Sequence, residues 1–180
     1  VLVTGGAGYI GSVLVPKLLG RGHRVTVLDL YPYGDDVLES VQGYLNLKQI
    51  KGDFRDRQTL EEALSGCDAV IHLACVSNAS SHDPATDFMT SVNYDAFQPL
   101  VRAAKKAGVK RFIYASSFCV YGVKDEPEVT EELPLNPPTE FSKHKALCEK
   151  TLKEESAPGF VTCALRPAIA CGYAPSQRLD

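Results

Sequence analysis

The sequence has no C-x-x-C pair, no apolar run of membrane-spanning length, no internal repeat, no low-complexity segment and no excess of basic residues. Each absence removes a class of function. His72 has no second His, Cys or Glu at ligand spacing, so it reads as a core residue with a backbone partner, and no metal is expected. A formal net charge of -3 and a pI of 5.8 leave no basic footprint for nucleic acid or an anionic membrane surface. Without an apolar stretch of about 20 residues nothing is expected to span a bilayer, and no secretory leader is read at the start. Most of the six cysteines (Cys67, Cys75, Cys119, Cys148, Cys163, Cys171) sit inside apolar runs and read as buried, reduced thiols of a cytoplasmic protein.

What is present is an ordinary globular composition, 44% hydrophobic and 23% charged over 180 residues, enough for one well-filled core. The chain opens on Val1-Leu2-Val3-Thr4-Gly5-Gly6-Ala7-Gly8-Tyr9-Ile10-Gly11. Strand formers feed a glycine-rich turn, and Val13, Leu14 and Leu18 continue at helical spacing. A pyrophosphate sits on the free N–H groups of a helix N-terminus only where no Cβ blocks its approach. Gly5 then serves the tight turn, Gly8 the close approach and Gly11 the packing of helix on strand. The pattern is G-x-x-G-x-x-G rather than G-x-G-x-x-G. The next strand, from Arg24 to Leu28, ends in Asp29, placed where a carboxylate takes both ribose hydroxyls of an adenosine.

Strand and helix alternate thereafter, the pattern of a parallel sheet covered on both faces. Tyr31 to Gly43 reads as a loop with a short helix at Val37 to Val41, and Leu47 to Lys51 as the third strand. Asp53 either accepts from an adenine amino group or caps the helix expected near Gln58 to Leu64. After the strand Ala69 to Ala74, a polar loop from Val76 to His82 is placed where doubly wound sheets bind ligands. A long helix is expected from Pro84 to Lys106, kinked or broken at Pro99, with Phe88, Val92, Phe97, Val101 and Ala104 facing the sheet. Asn93 either bonds backbone beside the site or faces solvent. The fifth strand, Arg111 to Ala115, runs into Ser116 and Ser117, which either cap a turn or present hydroxyls to a substrate. A last strand is expected from Phe160 to Pro167, ending in Leu165-Arg166-Pro167.

In this order T-G-G-A-G-Y-I-G, an Asp closing strand two, G-D-F-R-D, H-L-A, Y-A-S-S-x-x-V-Y-G and L-R-P resemble the extended short-chain dehydrogenase/reductase family. Within it the chain is most similar to the NAD-dependent nucleotide-sugar epimerases and dehydratases, such as UDP-galactose 4-epimerase. The resemblance implies a doubly wound α/β domain of strand order 3-2-1-4-5 plus a further strand, with NAD across the C-terminal ends. It implies cofactor contacts from Gly5, Gly8, Tyr9, Ile10 and Gly11, from Asp29, Asp53 and Phe54, and from Leu73, Ala74, Asn93, Ser116, Lys145 and Pro167. In the relatives the helices matching Pro84 to Lys106 and Thr139 to Glu155 form a four-helix interface, so a homodimer is implied. Residues 1–180 then make up the NAD-binding domain of a longer protein, with most of the substrate domain absent.

The resemblance also implies transient oxidation of a sugar hydroxyl to a ketone, which needs a base on that hydroxyl. Relatives use a Tyr in a Y-x-x-x-K motif, with a Ser or Thr, here Ser117, on the same hydroxyl. Lys145 is present, but Phe141 stands at the Tyr position and has no proton to exchange. Three readings follow: an enzyme slowed by Tyr→Phe, an enzyme with another proton route through Lys145, Ser117, water or Cys119, or a non-catalytic NAD-binding sensor. Cys119 stands where a GDP-mannose epimerase relative carries an acid/base Cys and sugar dehydratases a Glu. Its alternative is a small core residue. Phe118 lacks the Asp of those dehydratases, which argues against their activity.

Overall fold

The computed structural model describes residues 1–77 and 85–176. Its strands are β1 (Leu2–Thr4), β2 (Val25–Asp29), β3 (Leu47–Lys51), β4 (Ala69–His72), β5 (Arg111–Ala115) and β6 (Val161–Leu165). Its helices are α1 (Gly11–Gly20), α2 (Arg57–Leu64), α3 (Ala85–Thr90), α4 (Phe97–Lys106) and α5 (Glu140–Glu155). The strands form one parallel sheet in the order β3-β2-β1-β4-β5-β6, the doubly wound arrangement expected. Thr4 lies opposite both Leu28 and His72, so the ends of β1, β2 and β4 finish level beneath the glycine turn.

Alternation along the central strands sorts side chains into two cores. Leu2, Leu28, Val70 and Phe112 pack with α2, α4 and α5 on one face, while Val3, Val25 and Val27 pack with α1 on the other. Helices α1 and α4 end alike. At Gly22 (φ 82) and Gly108 (φ 83) the chain turns left-handed, and the N–H of the following residue returns to the carbonyl of Leu18 or Ala104. Glycine makes that reversal without strain, which explains both sharp stops.

Several expectations are corrected. The buried face of α1 is Ser12, Val15 and Leu19, not Val13, Leu14 and Leu18, which are only half-buried. The long helix is interrupted one turn before Pro99, by a π-helical turn at Ser91–Asp95. Pro99 sits in the first turn of α4, where its missing N–H costs no helical bond. Val92, Phe97, Val101 and Ala104 face the core as expected, whereas Phe88 is 44% exposed. The short helix is a single turn at Glu39–Val41. Only Cys67 and Cys148 are buried. Cys75, Cys163 and Cys171 are exposed, Cys163 because it lies on edge strand β6, most of whose side chains are uncovered.

Candidate functional site

The glycine turn is built by contact rather than by flexibility alone. A Cβ on Gly5 (φ 73) would lie 2.5 Å from Ala74 N, and one on Gly11 would lie 2.4 Å from Gly5 O. Gly5 thus lets the turn cross the end of β4, and Gly11 packs on the turn itself rather than on a strand. The contact with the sheet belongs to Gly6, whose Cβ would meet the Val27 side chain at 2.8 Å. At Gly8 a Cβ would meet only Gly5 O, at 3.2 Å, so this glycine keeps a cradle open above the turn. The Asp29 carboxylate braces the turn, Oδ2 accepting from Ala7 N–H at 2.9 Å and Oδ1 from Tyr31 N–H at 2.8 Å. A carboxylate has about four acceptor positions, so two remain for hydroxyls.

Above these residues lies a cleft of about 600 Å³ along the C-terminal ends of the strands. Gly5, Gly8, Tyr9, Ile10, Gly11 and Asp29 line its middle. Asp53 and Phe54 line one end with Leu30, Pro32 and Tyr33. Ser116, Ser117, Phe141, Lys145 and Pro167 line the other, with Leu73 and Ala74 between. Two expected site residues are not part of the lining, Asn93 and Cys119. A larger open groove, about 1160 Å³, runs between α2 and α4, but it presents helix sides and no glycine turn.

At the first end, Asp53 does not cap α2. Asp56 does, accepting from Thr59 N–H at 2.8 Å. Asp53 is instead gripped by Arg55, whose guanidinium holds its carboxyl below the usual carboxylate range. Phe88, which the helical stripe placed in the core, lines the cleft here, and the Arg55 guanidinium lies 4.9 Å from its ring centroid.

At the other end, Lys145 is 4% exposed, donating from Nζ to Ala115 O at 2.7 Å and lying 4.8 Å from the Tyr114 ring centroid and 5.4 Å from that of Phe141. An ammonium has three N–H donors, so two are left for oxygens in the cleft. The Ser117 hydroxyl accepts from Cys119 N–H at 3.3 Å and keeps its own proton to donate. Cys119 is half-buried, neither a core residue nor a wall of the cleft. Asn93 is buried and acts on the backbone, its amide accepting from Val76 N–H at 2.8 Å and donating to Val76 O at 2.7 Å. It fixes the start of the polar loop, of which residues 78–82 lie outside the described residues.

Sequence reasoning missed the support beneath this end. Ser116 donates to Glu149 of α5, and Glu149 accepts from Arg166 Nη2 at 2.6 Å. Arg166 Nη1 donates onward to the Tyr121 hydroxyl at 2.8 Å. The network ties β5, β6 and α5 together under Lys145, and only the L-R-P motif hinted at it. His72 is buried as expected, but its partner is a side chain: Nδ1 lies 2.6 Å from Thr4 Oγ1. Burial chiefly, then the Lys145 charge, push its pKa down to about 3, so the ring is neutral.

A doubly wound parallel sheet, a glycine turn opening a helix and an acidic residue closing β2 define a Rossmann-type dinucleotide-binding domain. The chain belongs to the NAD dependent epimerase/dehydratase family, which it matches over residues 1–179. A 3-beta-hydroxysteroid dehydrogenase of Mycolicibacterium neoaurum is 33% identical over 178 residues, covering 93% of this chain and 46% of that protein. A short-chain dehydrogenase/reductase superfamily protein from Agrobacterium tumefaciens, solved with NAD bound, superposes with a TM-score of 0.80 at 33% identity, over 92% of this chain and 48% of that one. A UDP-N-acetylglucosamine 4-epimerase from Methanobrevibacter ruminantium M1, solved with UDP-N-acetylmuramic acid, gives 0.80 at 32% identity, over 92% of this chain and 53% of that one. The chain therefore spans about half the length of these proteins. No helix among the described residues is long and apolar enough to cross a membrane.

Proposed function

We propose that this chain is the NAD-binding part of a cytoplasmic, homodimeric nucleotide-sugar epimerase or dehydratase that works by transient oxidation of a sugar hydroxyl. The observation that carries the reading is the convergence of Ser117, Phe141 and Lys145 on one end of a cleft whose middle is a glycine cradle. NAD bound in the cleft supplies reversible hydride acceptance from a carbinol carbon. The residues fit it: the open face of Gly8 suits a pyrophosphate, and Asp29 keeps two acceptor positions for ribose hydroxyls. Asp53 and Phe54 serve the adenine, and Lys145 holds the second ribose through its two remaining N–H groups.

Ser117 orients the substrate hydroxyl. The proton on that hydroxyl must leave as the carbon is oxidised, and a positioned base accelerates such a step about 100- to 10,000-fold. Phe141 supplies none. Lys145 is a poor substitute, since an ammonium offers three donors and no lone pair to take the proton, and one of those donors is already on the Ala115 carbonyl. Cys119 is outside the lining, which weighs against a cysteine route. The same Phe141 favours a second reading, a protein that binds NAD and senses it without turnover.

Full-length protein incubated with a panel of UDP-, dTDP- and GDP-sugars separates the two. Epimerised or dehydrated sugar, or transient NADH absorbance, is the expected result. Neither turnover nor sugar binding overturns it in favour of the sensor, and oxidation of a hydroxysteroid alone would overturn the sugar assignment.

A further inference from the structure

Three N–H groups of one residue converge on the Asp53 carboxylate. Arg55 N–H donates to Oδ1 at 2.8 Å, Nε–H is shared between Oδ1 at 3.0 Å and Oδ2 at 2.9 Å, and Nη2 donates to Oδ2 at 2.5 Å. With about four acceptor positions on a carboxylate, one is left, and its direction is set by the other three. The guanidinium is fixed from behind as well. Nη1 donates to Ser91 Oγ at 3.0 Å on the π-helical turn, and the Phe88 ring lies beneath the cation at 4.9 Å. Asp53 and Phe88 both face the cleft, so the arrangement presents one acceptor beside one aromatic face.

Resting on the reading that the cleft holds NAD, we propose that Arg55 is the positioning residue that makes Asp53 selective for the adenine base over its 6-oxo counterpart, hypoxanthine. The single remaining acceptor matches one hydrogen of a 6-amino group. A 6-oxo group brings a second acceptor against the carboxylate and is repelled. Without Arg55 the carboxylate turns freely and solvates, and the distinction fades while the glycine cradle and Asp29 still bind the rest of the dinucleotide. A fork is needed for this, because only a guanidinium spans both carboxylate oxygens in one plane.

The test uses full-length protein stripped of nucleotide, with NAD and nicotinamide hypoxanthine dinucleotide titrated separately by calorimetry. The unsubstituted protein is expected to favour NAD by roughly ten- to hundredfold, the worth of one charge-assisted hydrogen bond. In Arg55→Ala the ratio should fall by roughly five- to tenfold or more, through loss of NAD affinity. Should Arg55→Ala fail to fold, Ser91→Ala removes only the support behind the guanidinium and should lower the ratio in the same direction. A ratio unchanged in the variant that folds overturns the proposal, as does an unsubstituted protein that binds both dinucleotides equally. If neither dinucleotide binds, the cofactor reading itself fails and takes this inference with it.

Discussion

The two ends of the cleft are finished to different degrees. From the middle to the Asp53 end each acidic group is held by donors that leave it acceptor capacity, two positions on Asp29 beside Ala7 and Tyr31 and one on Asp53 beside Arg55. At the Phe141 end the scaffold is equally braced, through Ser116, Glu149 and Arg166, but Phe141 brings no proton-exchanging group to the lining it shares with Ser117 and Lys145. Binding and chemistry thus come apart in one cleft. On the proposed reading, binding rests on backbone shape and fixed carboxylates, whereas the chemistry turns on whether the position of Phe141 carries a hydroxyl.

The sharpest way to break this contrast is Phe141→Tyr in the full-length protein. It adds one hydroxyl at a position that lines the cleft with Ser117 and Lys145, and activity toward the accepted nucleotide sugar should rise by roughly 100-fold or more. The pH–rate profile should then show an ionisation well below about 10, the ordinary phenol value. An unchanged rate in an already active enzyme would show that the proton leaves by another route.

Smaller effects are expected at the binding end. Asp29→Ala should weaken NAD binding by about 1.5–3 kcal/mol, the loss of charge-assisted hydrogen bonds, and should narrow the preference over NADP. Isothermal titration with both nucleotides measures it. Unaltered affinity would remove Asp29 from the ribose site.

The smallest effect concerns the floor shared by both ends. His72 is depressed in the folded protein to about 3, from 6.5. Its stability contribution is therefore complete above about pH 6.5, the unfolded value, and is lost as pH falls toward the folded value. Between about pH 6.5 and 5, above the range of ordinary carboxylates, the unfolding equilibrium should shift by up to about tenfold per pH unit. Denaturant melts across that window should show the slope in the unsubstituted protein and its loss in His72→Phe.

Much of the binding end was legible in the chain. The glycine turn and Asp29 lie within one strand-turn-helix-strand unit, so their relation is carried by local spacing, although the apolar stripe of the helix between them did not mark its buried face. What the chain hid are pairings between distant segments. Arg55 meets Ser91 across 36 residues, Thr4 meets His72 across 68, and Tyr121 meets Arg166 across 45. Spacing along a sequence carries no register between elements that far apart. Phe88 was misplaced for a related reason. One extra residue in the π-helical turn shifts everything before it out of phase with α4, so a stripe counted at constant period puts Phe88 on the sheet instead of in the cleft. Pro99 drew attention as the break, yet a proline in a first helical turn is harmless.

The most direct measurement on the central claim, that this cleft is a finished site for NAD, is to denature the purified full-length protein and identify the nucleotide released. Asp29 closes β2 and is followed by Leu30 and Tyr31 rather than by an arginine, so a 2′-phosphate would meet a carboxylate with no adjacent guanidinium to offset it. The account predicts that NAD or NADH is recovered, or that a nucleotide-free preparation takes up NAD in preference to NADP. Recovery of mainly NADP, or uptake of neither, would contradict it.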